Sequence, residues 1–248
     1  MDMKYIRLII TSFVVCIFSS CQDVFDMHEG DEEILESALY RPYDPPAYIK
    51  EYFSRIFDSS ESKTGEYYKF LEVASFMYED QLGHELLEFL IENGVIITFK
   101  IDPYLSGMAM FDTSNWTITF RDIASITQES VEEEILHAVQ LVLCGASTMS
   151  RSSKNIEFEV KVFRDLWEAV KMNCIPSSYF GISGLEREGY EDEYKIFIAC
   201  LYNWGWGDFF NDKFKELSEE WKGETLQYNK YFSPYLISTF WPLKESEI

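Results

Sequence analysis

Residues 131–140, VEEEILHAVQ, gather the side chains of this 248-residue chain best suited to chemistry. At about 3.6 residues per turn, Glu133, His137, Gln140 and Cys144 share one helical stripe roughly 60° wide. Val131, Ile135, Ala138, Val139, Val142 and Leu143 fill most of the remaining circumference, so the helix is expected to be buried. A buried polar stripe needs partners, because an unpaired polar group inside a protein is costly. A metal, a carboxylate or ordered water would serve. Ser130-x-x-Glu133 also has the pattern of a capping box, which gives Glu133 a purely local alternative role at the helix start.

The same residues resemble the metal-binding helix of zincin-type metallopeptidases, HExxH, in its extended form HExxHxxQ. His137 matches the second His, Glu134 the catalytic Glu and Gln140 the trailing Gln, while Glu133 replaces the first His. The resemblance implies an α+β, mostly α, zincin-like fold with helices around a small sheet of about three strands. It also implies zinc as the metal and a peptide or protein as substrate or ligand.

The next informative segment, 155–173, separates into a charged face (Glu157, Lys161, Arg164, Glu168, Lys171) and an apolar face (Val162, Phe163, Leu166, Ala169, Val170). Glu159 lies in the middle of the apolar face, where a carboxylate must be paired, protonated or metal-bound. By order and facing it matches the third ligand of Glu-type zincins, taken from a helix downstream of HExxH. The implied metal set is thus Glu133, His137 and Glu159, with Gln140 and Cys144 lining the site. Two carboxylates offset the metal's charge and make a bound water harder to ionise, so peptidase activity is expected to be weak or absent. Without a metal, His137 and Glu159 are expected to meet as a buried pair in a surface binding module for peptides or glycans.

The elements around these segments follow from periodicity. Helices are expected over 47–57, 67–78 and 82–93, and strands over 95–100, 107–111 and 116–120, the last two joined by the hairpin turn DTSN. A strand shortly before the helix is also the zincin order, in which the edge strand borders the substrate cleft. His84-Glu85-x-x-Glu88 imitates a metal motif, but its polar residues form an ordinary solvated face. Residues 174–189 read as a long loop able to wall a cleft. Aromatic helices follow over 190–204, 206–221 and 234–240. Tyr202, Trp204, Trp206, Phe209 and Phe210 cluster there, as core or as a sugar-stacking platform.

At the start of the chain, Lys4 and Arg7 precede an apolar run from Leu8 to Phe18, too short to span a bilayer and suited to an export signal. Phe18-Ser19-Ser20-Cys21 resembles the bacterial lipobox, which implies cleavage before Cys21 and a lipid on that residue. The acidic stretch that follows resembles the tether of surface-exposed lipoproteins of Bacteroidetes. The expected organisation is a signal peptide over 1–20, a tether over 21–46 and a single domain over 47–248, anchored at the outer membrane through Cys21 alone. A formal net charge of −22 argues against a nucleic-acid partner. With 47 % hydrophobic and 17 % aromatic residues, a sizeable core is expected. Removing Cys16 with the signal and assigning Cys21 to the lipid leaves Cys144, Cys174 and Cys200, an odd number with no CxxC, read as free thiols.

Overall fold

Prolines 45 and 46 stiffen the approach to the first helix, α1 (Ala47–Phe53). The computed structural model describes residues 44–58, 65–175, 189–221 and 226–242, and these belong to one unit, Pro42–Ile248. The signal, the lipobox and the loop over 176–188 lie outside the described residues.

The helix expected over 47–57 stops early, and Phe57–Asp58 forms a short strand, β1. Phe53, Ile56 and Phe57 are all buried, so the apolar spacing suited a helix and a strand alike, and pairing with the sheet selected the strand. α2 (Gly65–Glu79) and α3 (Gln81–Glu92) form a tight helical hairpin. Asp80 joins them: its carboxylate accepts from Gly83 N at 2.9 Å, capping α3, and from Trp167 Nε1 at 2.7 Å. A Cβ on Gly83 would lie 2.3 Å from the Met77 carbonyl oxygen. Gly83→Ala is therefore expected to force the two helices apart and cost about 1–3 kcal/mol, measurable as a lower denaturant midpoint with an unchanged slope.

The sheet has four strands rather than three, in the order β1-β2-β4-β3, with β2 (Ile97–Ile101), β3 (Ala109–Asp112) and β4 (Thr117–Phe120). β1, β2 and β4 run parallel, while β3 is antiparallel to β4 with Ala109 opposite Phe120 and Phe111 opposite Ile118. In the hairpin turn, Asp112 Oδ1 accepts from Ser114 N at 2.9 Å and from Ser114 Oγ at 2.7 Å. β3 is left on the sheet edge.

α4 (Gln128–Cys144) is the hub of the fold. It packs against α2, α3, β3, α5 (Ala146–Arg151), α6 (Ser153–Met172) and α9 (Tyr235–Phe240). Val131, Ile135, Leu136, Ala138 and Val139 are fully buried on it. Its cap is Thr127, whose side chain accepts from Ser130 N while Ser130 Oγ accepts from Thr127 N. The box at Ser130 and Glu133 is not used, which leaves Glu133 free of any capping role.

The apolar face of α6 packs inward through Phe158, Val162, Phe163, Leu166 and Trp167. α7 (Tyr190–Trp204) and α8 (Asn211–Glu220) lie against its far side. The aromatic cluster divides between them: Trp206 and Phe210 are core, whereas Phe209 and Trp204 are exposed. None of the described helices is long and apolar enough to cross a membrane. The result is an α+β fold, mostly α, in which a single helix carries the polar stripe past the sheet edge.

Candidate metal centre

The four-residue spacing puts Glu133 and His137 one turn apart on the same side of α4, facing the first turns of α6. There they meet Glu157. One ligand atom each from Glu133, His137 and Glu157 lies within 4.8 Å of the others, a group that could hold a metal ion. His137 Nε2 and Glu157 Oε2 are 3.4 Å apart, about the separation of neighbouring ligand atoms on a tetrahedral ion with arms near 2.1 Å. One imidazole nitrogen and two carboxylate oxygens suit a borderline-hard divalent cation. The donor set and its spacing fit.

The group opens onto a cavity of about 350 Å³. Ala109, Met110 and Phe111 of the edge strand form one wall, and Glu134, His137 and Glu157 line another. Glu134 is buried at 7 % exposure and takes no hydrogen bond within the described residues. Burial is the main reason its carboxyl is pushed up to about 7; His137 pulls the other way, while Glu133 and Glu157 add to the rise. Burial likewise works against the charged form of His137. The charge and contact of Glu157, with Glu134 and Glu133 behind it, outweigh that penalty and lift the imidazole to about 9. Glu157 itself is raised by burial but held below the usual carboxylate range by His137 and Lys161. In the metal-free protein, His137 and Glu157 are therefore an ion pair.

Glu133 is anchored from behind. Its Oε2 accepts from Lys161 Nζ at 2.6 Å and from Arg164 Nη1 at 3.0 Å. Its Oε1 takes no hydrogen bond from the described residues, so one oxygen is tied and the other is available. Arg164, 2 % exposed, also meets Glu129 at 3.3 Å, and Lys171 Nζ meets Glu132 at 3.0 Å. The charged face of α6 is thus no solvated surface but the complement of the acidic run Glu129, Glu132, Glu133 on α4.

Glu159 is not part of the metal group. It is fully buried, with Oε1 accepting from Leu236 N at 2.7 Å and Ile237 N at 3.1 Å, and Oε2 accepting from Gln140 Nε2 at 2.8 Å. The N-terminus of α9 supplies the donors, the usual remedy for a carboxylate at a helix start. Burial lifts the Glu159 carboxyl to about 7 even though these hydrogen bonds oppose the shift. Nor do His137 and Glu159 pair directly. Gln140 stands between them, its Oε1 3.0 Å from His137 Nδ1. Gln140 therefore lies behind the imidazole and not on the cavity wall.

Cys144 stays apart from the group: its Sγ lies 3.9 Å from the Gly145 oxygen, and burial, aided by the charge of Glu159, pushes the thiol up to about 12. It is an inert thiol at neutral pH. His84 is half-buried: it stacks on Tyr52 and meets the edge of Tyr78, 4.0 Å from Glu88, and it lies apart from the metal group. Periodicity placed Glu157, Lys161 and Arg164 on a charged face but did not assign them to the site. Their spacing of four and then three residues marks one stripe of α6, and its alternating charge answering the acidic turns of α4 was the available signal.

Comparison with protein-family models, with curated proteins and with solved structures returns no match to this chain.

Proposed function

We propose that this chain is an extracytoplasmic lipoprotein, anchored at the outer membrane through Cys21, whose domain is a zincin-like peptide cleft with a degenerate zinc site and little or no general peptidase activity. The observation that carries the reading is the antiparallel edge strand β3 lying over Glu134 and His137 of the central helix, with Glu157 closing the group. The zincin resemblance implies this pairing of edge strand and helix, and an extended peptide is the ligand that an unpaired strand edge accepts.

Glu133, His137 and Glu157 would hold the ion. A bound zinc would supply Lewis acidity and a lowered water pKa, and both are diminished where two of three ligands are carboxylates. Glu134 faces the cavity and can hold a proton near neutrality. Lys161 and Arg164 neutralise and orient Glu133.

Purified protein is expected to retain close to one equivalent of zinc, and His137→Ala to abolish it. A parent that retains none after equilibration with zinc ends the metal reading. A second reading then stands, a metal-free binding module for peptides or glycans. It is favoured by the way Lys161 and Arg164 already neutralise Glu133, while Glu157 already faces His137 Nε2.

The anchor has its own test. Cys21→Ala is expected to leave the precursor uncut and unlabelled by fatty acid, and normal lipid labelling of that variant rules the anchor out.

A further inference from the structure

The chain of buried hydrogen bonds behind the metal group ends on a helix that contributes no ligand. We propose that Gln140 and Glu159 are positioning residues that keep a proton on His137 Nδ1 and so present Nε2 to the cavity, making the C-terminal helix α9 part of the metal centre. The inference deepens the metal reading, and its zinc measurement rests on that reading.

The direction of every bond in the chain is forced. Gln140, fully buried, carries one acceptor and one donor group on its amide. Two neighbours of its outer end accept: the Ile156 carbonyl at 3.1 Å, at any pH, and Glu159 Oε2 at 2.8 Å, once that carboxyl is ionised, as it is at a pH where the imidazole is neutral. The Nε2 group must face both, which turns Oε1 toward His137 Nδ1 at 3.0 Å. An oxygen there requires a proton on Nδ1. Reversing the amide would set Oε1 against two oxygens and strand it.

Glu159 cannot give way to allow that reversal. Its other oxygen is fixed by Leu236 N and Ile237 N at the start of α9, and α9 packs against both α4 and α6. On the opposite side of the ring, Nε2 faces Glu157, whose side chain is one-third exposed and lines the cavity. The buried side of the imidazole is rigid and the cavity side is adaptable, so the rigid side decides which nitrogen keeps its proton when one is lost. A metal-ligating His commonly has its second nitrogen held in this way, and loss of such a partner weakens metal binding about 10–100-fold.

Glu159→Gln is the discriminating variant because it preserves volume. Its Oε1 still accepts from Leu236 and Ile237, but its amide group now points at Gln140. Reversing Gln140 lets it accept from that group, although its Oε1 then also faces the Ile156 carbonyl, and its Nε2 faces His137 Nδ1, which favours the proton on Nε2 instead. The full-length chain, labelled with 15N at its three histidines, is observed by long-range 1H–15N correlation without metal, at a pH where the imidazole is neutral; substituting His28 and His84 assigns the signals.

The expected result is the Nδ1–H tautomer in the parent, a shift to Nε2–H in Glu159→Gln, and zinc affinity about 10–100-fold lower in the variant. A purely structural role for Glu159 would lower the melting temperature and leave the tautomer unchanged. The Nε2–H form in the parent overturns the proposal, and this measurement needs no variant to fold. A folded Glu159→Gln with an unchanged tautomer overturns it too, even where zinc binds both proteins. The Nδ1–H form in a parent that retains no zinc supports the positioning role and removes the metal reading instead.

Discussion

Glu133→His raises zinc affinity at least 100-fold, about 2.7 kcal/mol of binding free energy, as followed by calorimetric titration of the parent and the variant. The expectation rests on three features of the centre. The substituted position faces His137 across one helical turn, with Glu157 already 3.4 Å from the imidazole, so a third donor completes a set that exists. An imidazole nitrogen is also a donor better suited to zinc than a carboxylate oxygen. Finally, the helix is rigidly placed by its buried apolar residues, which limits the ordering still to be done on binding. The same change withdraws the shared partner of Lys161 and Arg164. The metal-free variant is accordingly expected to be less stable than the parent, by roughly 1–3 kcal/mol. A variant that binds zinc no better than the parent would mean that α4 does not face a metal pocket.

The largest loss of stability is expected from Glu159→Leu. That change leaves two buried donors, Leu236 N and Ile237 N, without an acceptor, and leaves Gln140 Nε2 with the Ile156 carbonyl alone. Stranding the partners of a buried charged group costs roughly 3–5 kcal/mol, a large share of the stability of an ordinary domain. Adding Gln140→Leu to the variant is expected to cost much less than it does alone, because the two residues act through one bond. Additivity within about 0.5 kcal/mol would show that the bond contributes nothing.

The loss also depends on pH in a defined direction. The Glu159 carboxyl is lifted to about 7 in the folded protein, above the value near 4.3 of an unfolded glutamate. A carboxyl raised on folding adds stability that is complete below its unfolded pKa and is lost as pH rises through its folded pKa. Glu159→Leu is therefore expected to be more damaging at pH 5 than at pH 9, the difference being roughly 2–3 kcal/mol. Chemical denaturation at the two pH values measures it, and a larger loss at pH 9 would contradict the cause assigned to the shift.

By itself the sequence determined what had to be buried. The stripe of Glu133, His137 and Gln140 on an otherwise apolar helix, the hairpin around Asp112 and Ser114, and the need of Glu159 for a partner all follow from periodicity and the cost of unpaired polar groups. The mostly helical α+β class follows from the same patterns. What covers each buried face was decided only in three dimensions. Periodicity separates Glu159 from Glu157 by facing, but it does not say that the charged face of α6 meets α4 while the apolar face meets α9. The partners of Glu159 are backbone N–H groups 77 and 78 residues further along. Such donors belong to every residue but proline, so no residue type marks them in advance. Phe57 shows the same limit at smaller scale, since its burial suits a helix or a strand and only pairing with Ile97 chose between them. A residue's own pattern fixes how much water it must leave; the groups it meets instead are set by elements distant in the chain.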